Sequence, residues 1–372
     1  MGLGGIGGFG GGPFGPVNNP RRLSDLLLGE STEELSSRDQ FLGGSPSQPL
    51  RNLSIFPAAS AVVRPTSSII QDGFATTLSR IELDPTRVQR ASQHYNAIKD
   101  WLEKRLNVEV RQVGSFQRST KIRPRVVNGV PSAIDIDAVV CFGDATYTPA
   151  PGYGTTGTDA LRAVHDALTS NQTYRILDPV IDHPVVTLSY ASEFSVELIP
   201  AFRNRLPPDN FDRNPPSYFI PNSLGGWQAA DFDFDSEFIT AANKSVDGKL
   251  IPAIKLMKQF IRNRGIALKS FHVELICLKL VLPLLLARKQ DSCAWDWRDV
   301  LSFFLNCAPL VLPHPLNIPG SRSSVPQIDQ LSNVMTELAS WGSLCDEFRK
   351  LDNVQSSLPL WRQFYGDPFP SS

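Results

Sequence analysis

The segment Ser132-Ala-Ile-Asp-Ile-Asp-Ala-Val-Val-Cys-Phe142 combines two demands that ordinarily exclude each other. Ile134, Ile136, Val139, Val140 and Phe142 are β-formers in a short apolar run, the composition of a strand beside a core. Asp135 and Asp137 interrupt it. Burying an unpaired carboxylate is costly, and two like charges on one face compound the cost. Side chains at i and i+2 of a strand point the same way, so both aspartates project together, with Cα atoms about 7 Å apart. A divalent cation removes both costs, and oxygen-only ligands favour Mg²⁺ or Mn²⁺ over zinc. The alternative is a solvated edge strand with two exposed aspartates.

Three other features bear on that choice. Glu197 sits mid-strand in Ser195-Val-Glu-Leu-Ile199, with Val196 and Leu198 facing the other way; alone it reads as a surface glutamate. Gly114-Ser115 directly follows an alternating strand around Val108–Arg111, and a glycine there lets backbone amides approach a phosphate, although Gly-Ser is also a common turn. Lys255, Lys258 and Arg262 share a helix face opposite Leu250, Ile254, Met257 and Ile261. Such a stripe can hold a triphosphate or be a solvated face.

At 372 residues the chain can hold two domains. Residues 1–75, beginning MGLGGIGGFGGGPFGP, are rich in Gly, Pro and Ser and read as a disordered tail with a short helix near 22–28. The GxGxxG match at Gly2–Gly7 has neither a strand before it nor a helix after it, so it carries no dinucleotide site. Asp84 as N-cap and Pro85 at the first helical position open a long helix with Val88, Ala91, Tyr95, Ile98 and Leu102 on one stripe. A helix at 158–169 and strands at 184–190 and 193–199 complete a core over 76–235, of which the part after 207 reads as loop. A helical domain spans 236–372, with Ser236 as its first cap. The fold class is α+β.

Thirty-six Lys and Arg against 37 Asp and Glu leave a net charge of −1, without the basic excess expected of a protein gripping long nucleic acid. Five scattered cysteines form no zinc pattern and read as reduced core residues of a cytoplasmic protein. No secretion signal opens the chain, and the apolar run 280–287 is too short to span a bilayer. No P-loop, HExxH or nucleophile elbow occurs. His272, beside Phe271 and Leu275, reads as a packed, hydrogen-bonded histidine, and Trp227 as a turn anchor or a cleft wall.

In order, the chain shows a strand-end Gly-Ser, a DxD strand, a single-carboxylate strand and a basic helix. This resembles the nucleotidyltransferases of the DNA polymerase β superfamily. More narrowly, Gly114-Ser-Phe-Gln-Arg-Ser-Thr120, Asp135-Ile-Asp137, Val196-Glu-Leu-Ile-Pro-Ala201, Ile254-Lys-Leu-Met-Lys258 and Lys269-Ser-Phe-His-Val-Glu274 are similar to the cGAS/DncV-like nucleotidyltransferases over roughly 80–365. The resemblance implies a polymerase-β-like core with the nucleotide cleft between it and the helical domain. Asp135, Asp137 and Glu197 would be the catalytic metal-binding triad for two Mg²⁺ (or Mn²⁺) ions. Gly114 and Ser115 would cradle donor phosphates, Lys258 and Ser270 would grip them from the helical side, and Phe271 would stack on a base.

The implied activity is synthesis of a cyclic di- or trinucleotide messenger from nucleoside triphosphates, in bacterial antiphage signalling of the CBASS type. The product would act on a separate effector, without membrane, zinc or long nucleic acid. Transfer to RNA, protein or a small molecule is the alternative enzymatic reading, and a dormant nucleotide-binding or interaction protein the third. Nineteen residues separate Ser115 from Asp135, including Lys121-Ile-Arg-Pro-Arg125, a longer gap than the superfamily's usual one.

Overall fold

A computed structural model describes residues 68–371 except 125, 128–129, 132, 146–155, 191–193, 205–217, 293–294 and 352–353. The tail read into residues 1–67, with its short helix, lies outside the described residues.

The first described element departs from the tail boundary at 75: helix α1 runs over Ser68–Ile81. Its Ile70, Phe74 and Ile81 are buried, and Phe74 meets Trp361, Tyr365 and Phe369 at ring centroid distances of 5.5–5.6 Å. The apolar partners lie almost three hundred residues downstream, so nothing local marks the helix as part of a core. Helix α2 (Pro85–Leu106) follows the expected design. The Asp84 carboxylate accepts from the Thr86 and Arg87 amides at 2.8 and 3.3 Å, and Ala91, Tyr95, Ile98 and Leu102 are its buried stripe. Asn107 ends it in the left-handed region at φ 52°.

Then come β1 (Glu109–Gln112), the one-turn helix α3 (Gly114–Gln117), a small ribbon of β2 (Val126–Val127) and β3 (Val130–Pro131), and the long strand β4 (Ile134–Ala145). Helices α4 (Gly157–Thr169) and α5 (Gln172–Ile176) lead to β5 (Val180–Asp182), β6 (Val185–Tyr190), β7 (Phe194–Asn204), β8 (Tyr218–Pro221) and β9 (Trp227–Ala230). The stretch read as loop after 207 therefore contains two strands, which pair with each other and extend the sheet from β7. The sheet runs β1-β4-β7-β6-β5, with β4 and β7 parallel and their other neighbours antiparallel.

Strand alternation divides this sheet into two environments. Ile134, Ile136, Ala138 and Val140, with Val196 and Leu198 of β7, pack against α2 and α4. Val139, Cys141, Ile199 and Ala201 face the other way, toward Tyr218, Ile220 and Ala230. Asp135, Asp137 and Glu197 share the parity of this second face, so the carboxylates replace apolar residues where the cover is incomplete.

From Phe232 onward every described element is helical. Helix α6 spans Phe232–Ser245, four residues before the cap expected at Ser236, because Asp231 takes the N-terminal position. α7 (Leu250–Arg264) is followed by α8 (Ser270–Ile276), a π turn at Cys277–Val281 and α9 (Leu282–Gln290). Pro283 lies just after the π segment; lacking an N–H, it cannot donate back to the preceding turn, and the local widening of the helix falls where that donor is missing. This continuous run, Ser270–Gln290, is long and apolar enough to cross a membrane by length and composition, and more than half of it is buried within the protein. Helices α10 (Trp297–Val311), α11 (Leu331–Arg349) and α12 (Val354–Tyr365) complete the chain, with α12 packed on α1 and α7. The four described cysteines, Cys141, Cys277, Cys307 and Cys345, are buried and free, as the scattered spacing predicts.

Candidate active site

The parallel register of β4 and β7 sets Asp135 opposite Ser195 and Asp137 opposite Glu197. Adjacent strands lie roughly 4.8 Å apart, so the Asp137 and Glu197 carboxyls meet, and they share a hydrogen bond. Burial raises Asp137, with Asp135 adding to the rise and Lys121 and Arg118 opposing it. Burial also pushes Glu197 up, to about 7, helped by Asp137 and Asp135. Two carboxyls in one desolvated place hold a proton between them unless a cation takes its position.

Asp135 is placed differently. Its side chain is half exposed; Oδ1 accepts from the Ser195 hydroxyl at 2.7 Å and Oδ2 faces Lys121 Nζ at 3.3 Å. Among the described residues no three His, Cys, Asp or Glu side chains form a closed metal cluster. The trio expected from sequence is thus brought to one sheet face, two members in contact and the third turned onto a lysine. Its chemistry fits a hard divalent cation: only carboxylate oxygens, two of them raised by burial and mutual repulsion, and one neutralised by an ammonium that a cation can displace.

Gly114 lies directly against this pair. A Cβ there would stand 2.0 Å from Asp137 Oδ2, and the residue has φ +75°, so both space and backbone conformation require glycine. The Val113 amide donates to the Asp137 carbonyl at 2.9 Å, tying the Gly-Ser turn to β4. Ser115 is half-buried in α3, and its carbonyl accepts from the Thr120 amide at 3.0 Å.

The helical side corrects one expectation. Lys258 does not face the cleft. It is 4% exposed, and its ammonium donates to Glu274 Oε1 at 2.6 Å, the Thr120 carbonyl at 3.0 Å and Thr120 Oγ1 at 3.2 Å. Glu274, fully buried, also accepts from Arg118 Nε at 2.8 Å and Thr120 Oγ1 at 2.7 Å. Burial opposes its ionisation, but Lys258 and Arg118 outweigh that and hold it at about 2. Lys255 is likewise engaged, with Glu82 at 2.7 Å, and Arg262 donates to the Arg123 carbonyl and Gln259. The basic stripe therefore clamps α7 onto the segments before β4. A carboxylate inside the apolar run Phe271–Ile276 was the available signal for a buried ionic partner, and Thr120, Arg118 and Lys121 carried none.

Ser270 opens α8 and is exposed; Phe271 is half-buried, with the Arg118 guanidinium 5.3 Å from its ring centroid. A cavity of about 220 Å³ is bordered by Gly114, Arg118, Asp137, Asp235, Phe271 and Ser323. Gln228 borders it too, whereas the Trp227 ring stands edge-on to Phe202 at 5.1 Å and is not among its walls. His272 is buried with Nε2 2.8 Å from the Pro326 carbonyl, the packed histidine its neighbours foretold.

A mixed sheet carrying acidic residues on adjacent parallel strands, beside a glycine turn and under a helical half, is the architecture of a polymerase-β-type nucleotidyltransferase. Residues 69–233 match the Second Messenger Oligonucleotide or Dinucleotide Synthetase domain. The chain is 22% identical over 321 residues to a cyclic AMP-AMP-AMP synthase of an Acinetobacter species, covering 81% of this chain and 86% of that protein. The fold is similar to Escherichia coli CdnC solved with ATP, at TM-score 0.56 and 15% identity over 80% of this chain and 98% of that one. It is also similar to Escherichia coli DncV in a 3′-deoxy GTP-bound form, at TM-score 0.55 and 12% identity over 94% and 90%. The fold is that of the cGAS/DncV-like nucleotidyltransferases, and the synthetase-domain match falls on the part of the chain that carries the acidic strands.

Proposed function

We propose that this chain joins nucleoside triphosphates into a cyclic di- or trinucleotide messenger, with Asp135, Asp137 and Glu197 as its catalytic carboxylates. The single observation that carries the reading is the contact of Asp137 with Glu197 across parallel strands, two residues from Asp135 and against Gly114. The synthase named above supports the product class.

The three carboxylates would hold two Mg²⁺ or Mn²⁺ ions. Bound there, divalent cations neutralise the triphosphate, activate a ribose hydroxyl and stabilise departing pyrophosphate. The protein's part is placement. Gly114 brings backbone close to Asp137, leaving room for phosphate beside the carboxylates. Lys121 keeps Asp135 compensated until the site fills. Phe271 offers a ring for a base, steadied by Arg118. Lys258 and Glu274 act as positioning residues, holding the Arg118–Thr120 turn and α8 at a constant separation. In the reaction the hydroxyl oxygen bonds to the α-phosphorus as the bond to pyrophosphate breaks, and the hydroxyl proton leaves to solvent. Repetition on the joined product closes the ring. The setting this suits is bacterial antiphage signalling, with a separate effector reading the product.

The test is incubation of purified protein with labelled ATP, GTP, CTP and UTP and Mg²⁺ or Mn²⁺, followed by phosphatase digestion and mass spectrometry. A phosphatase-resistant cyclic product, absent with Asp137→Ala, is expected. Label attached to RNA, protein or a small molecule would favour the transfer reading, and no product under any condition, phage-derived activators included, would count against both.

A further inference from the structure

Among the described residues, Arg118 is the one cation that borders the cavity. It closes the one-turn helix that Gly114 opens, its amide donating to the Gly114 carbonyl at 3.1 Å. Its side chain is 7% exposed. Nε donates to Glu274 Oε2 at 2.8 Å, and the guanidinium stands 5.3 Å from the Phe271 ring centroid. These two contacts fix the guanidinium but use only one of its N–H groups. Nη1 and Nη2 meet no hydrogen-bond partner among the described residues, and both stay open to solvent. On a residue otherwise buried, that opening is the cavity. Donors left unpaired on a buried side chain are expensive in a finished structure and ordinary in a site that takes an acceptor.

Charge says which acceptor. Glu274 is shared between Arg118 and Lys258, and all three are buried. One carboxylate against two cations leaves a surplus positive charge inside the protein. Asp137 and Asp235 border the cavity, but neither pairs with Arg118. A carbonyl or ring nitrogen of a base would satisfy the free donors and leave the surplus standing. A phosphate answers both needs, and its paired oxygens match the fork of a guanidinium. We propose that Arg118 is a substrate-binding residue, its two terminal amino groups donating to phosphate oxygens of a nucleoside triphosphate seated against Gly114. This role deepens the nucleotide reading above and rests on it. It also replaces the grip that Lys258, turned inward, does not supply: Lys258 holds Glu274, Glu274 holds the Nε edge of Arg118, and Arg118 presents the charge.

Titration calorimetry of the full chain with Mg²⁺ decides it, using non-hydrolysable triphosphates of all four bases and inorganic tripolyphosphate, which carries phosphates and no base. Arg118→Met removes the fork and leaves Lys258 on Glu274, so the buried carboxylate stays paired. Arg118→Lys keeps a charge that can serve Glu274 or a phosphate but not both, and remains informative if the methionine variant does not fold. Each variant should bind triphosphates at least about tenfold more weakly, by the same factor for every base that binds, with tripolyphosphate falling in parallel. In Arg118→Met the dependence of affinity on ionic strength should also flatten, which a merely structural role would not produce. Unchanged triphosphate affinity in a folded variant overturns the proposal. A loss confined to one base, or one that spares tripolyphosphate, assigns Arg118 to the base and overturns it too. Failure of every nucleotide to bind the native protein would instead sink the nucleotide reading itself, a result distinct from binding that ignores Arg118.

Discussion

The Asp137 carboxylate fills the volume that a methyl group on Gly114 would require, with Oδ2 only 2.0 Å from the position of that absent Cβ. This contact joins the Gly-Ser turn to the acidic strand, and neither can move without the other. Gly114→Ala should therefore fold near normally at a distance from the site yet lose at least about a hundredfold in turnover, since displacement of a reacting group by about 1 Å costs that much. Steady-state rates alongside a thermal melt check it. A variant with wild-type turnover would show that the turn is free to relax.

Asp137 and Glu197 are held together at a cost to the metal-free fold. Asp137→Asn should leave the melting temperature in chelator unchanged or raised by a few degrees, because one of two crowded carboxyls is gone. The stabilisation by Mg²⁺ or Mn²⁺ seen in the native protein should disappear, and turnover should fall by at least about 10³-fold. Differential scanning fluorimetry with a metal titration reads the first two effects.

Lys258 sits among acceptors and away from the cavity, so its loss should act on stability before substrate binding. Lys258→Met removes one of the two cations on the fully buried Glu274 carboxylate, leaving Arg118, and should cost about 3 kcal/mol. Adding Glu274→Gln should recover part of it. Chemical denaturation of the single and double variants measures this. A rise in KM at unchanged stability would return Lys258 to the phosphate-gripping role.

Acid should reach the same network. The folded protein holds Glu274 at about 2, against 4.5 for the free side chain, so its contribution is whole above pH 4.5 and is lost as pH falls toward 2. Unfolding free energies measured across that window should fall with pH, and less steeply in Lys258→Met.

Helix α1 closes a cluster of aromatic rings far from the cleft. Phe74→Ala should destabilise by about 3–5 kcal/mol, leaving the product profile unchanged at temperatures below the melt. A changed product distribution would tie this cluster to the site.

Much of this architecture is written in local pattern. The alternation of β4 places Asp135 and Asp137 on one face whatever that face meets, and the Asp84-Pro85 start with its four-residue stripe defines α2, because strand parity and helix period are properties of neighbouring residues. The Gly114 turn and the carboxylate of Glu197 were visible in the same way. What the chain could not announce is which residues meet across long separations. The β4–β7 register puts Glu197 beside Asp137 and Ser195 beside Asp135; the approach of α7 to Thr120 and Glu274 turns Lys258 inward; the arrival of Ser323 brings a hydroxyl to the buried Asp235. Helix α1 and strands β8 and β9 escaped for the same reason, since their partners are supplied only by the folded chain. Sequence alone thus determined the inventory of carboxylates and the faces they occupy, while tertiary packing decided which charges are compensated within the protein and which remain for a ligand, because burial and distance, not residue type, set the energy of a charge.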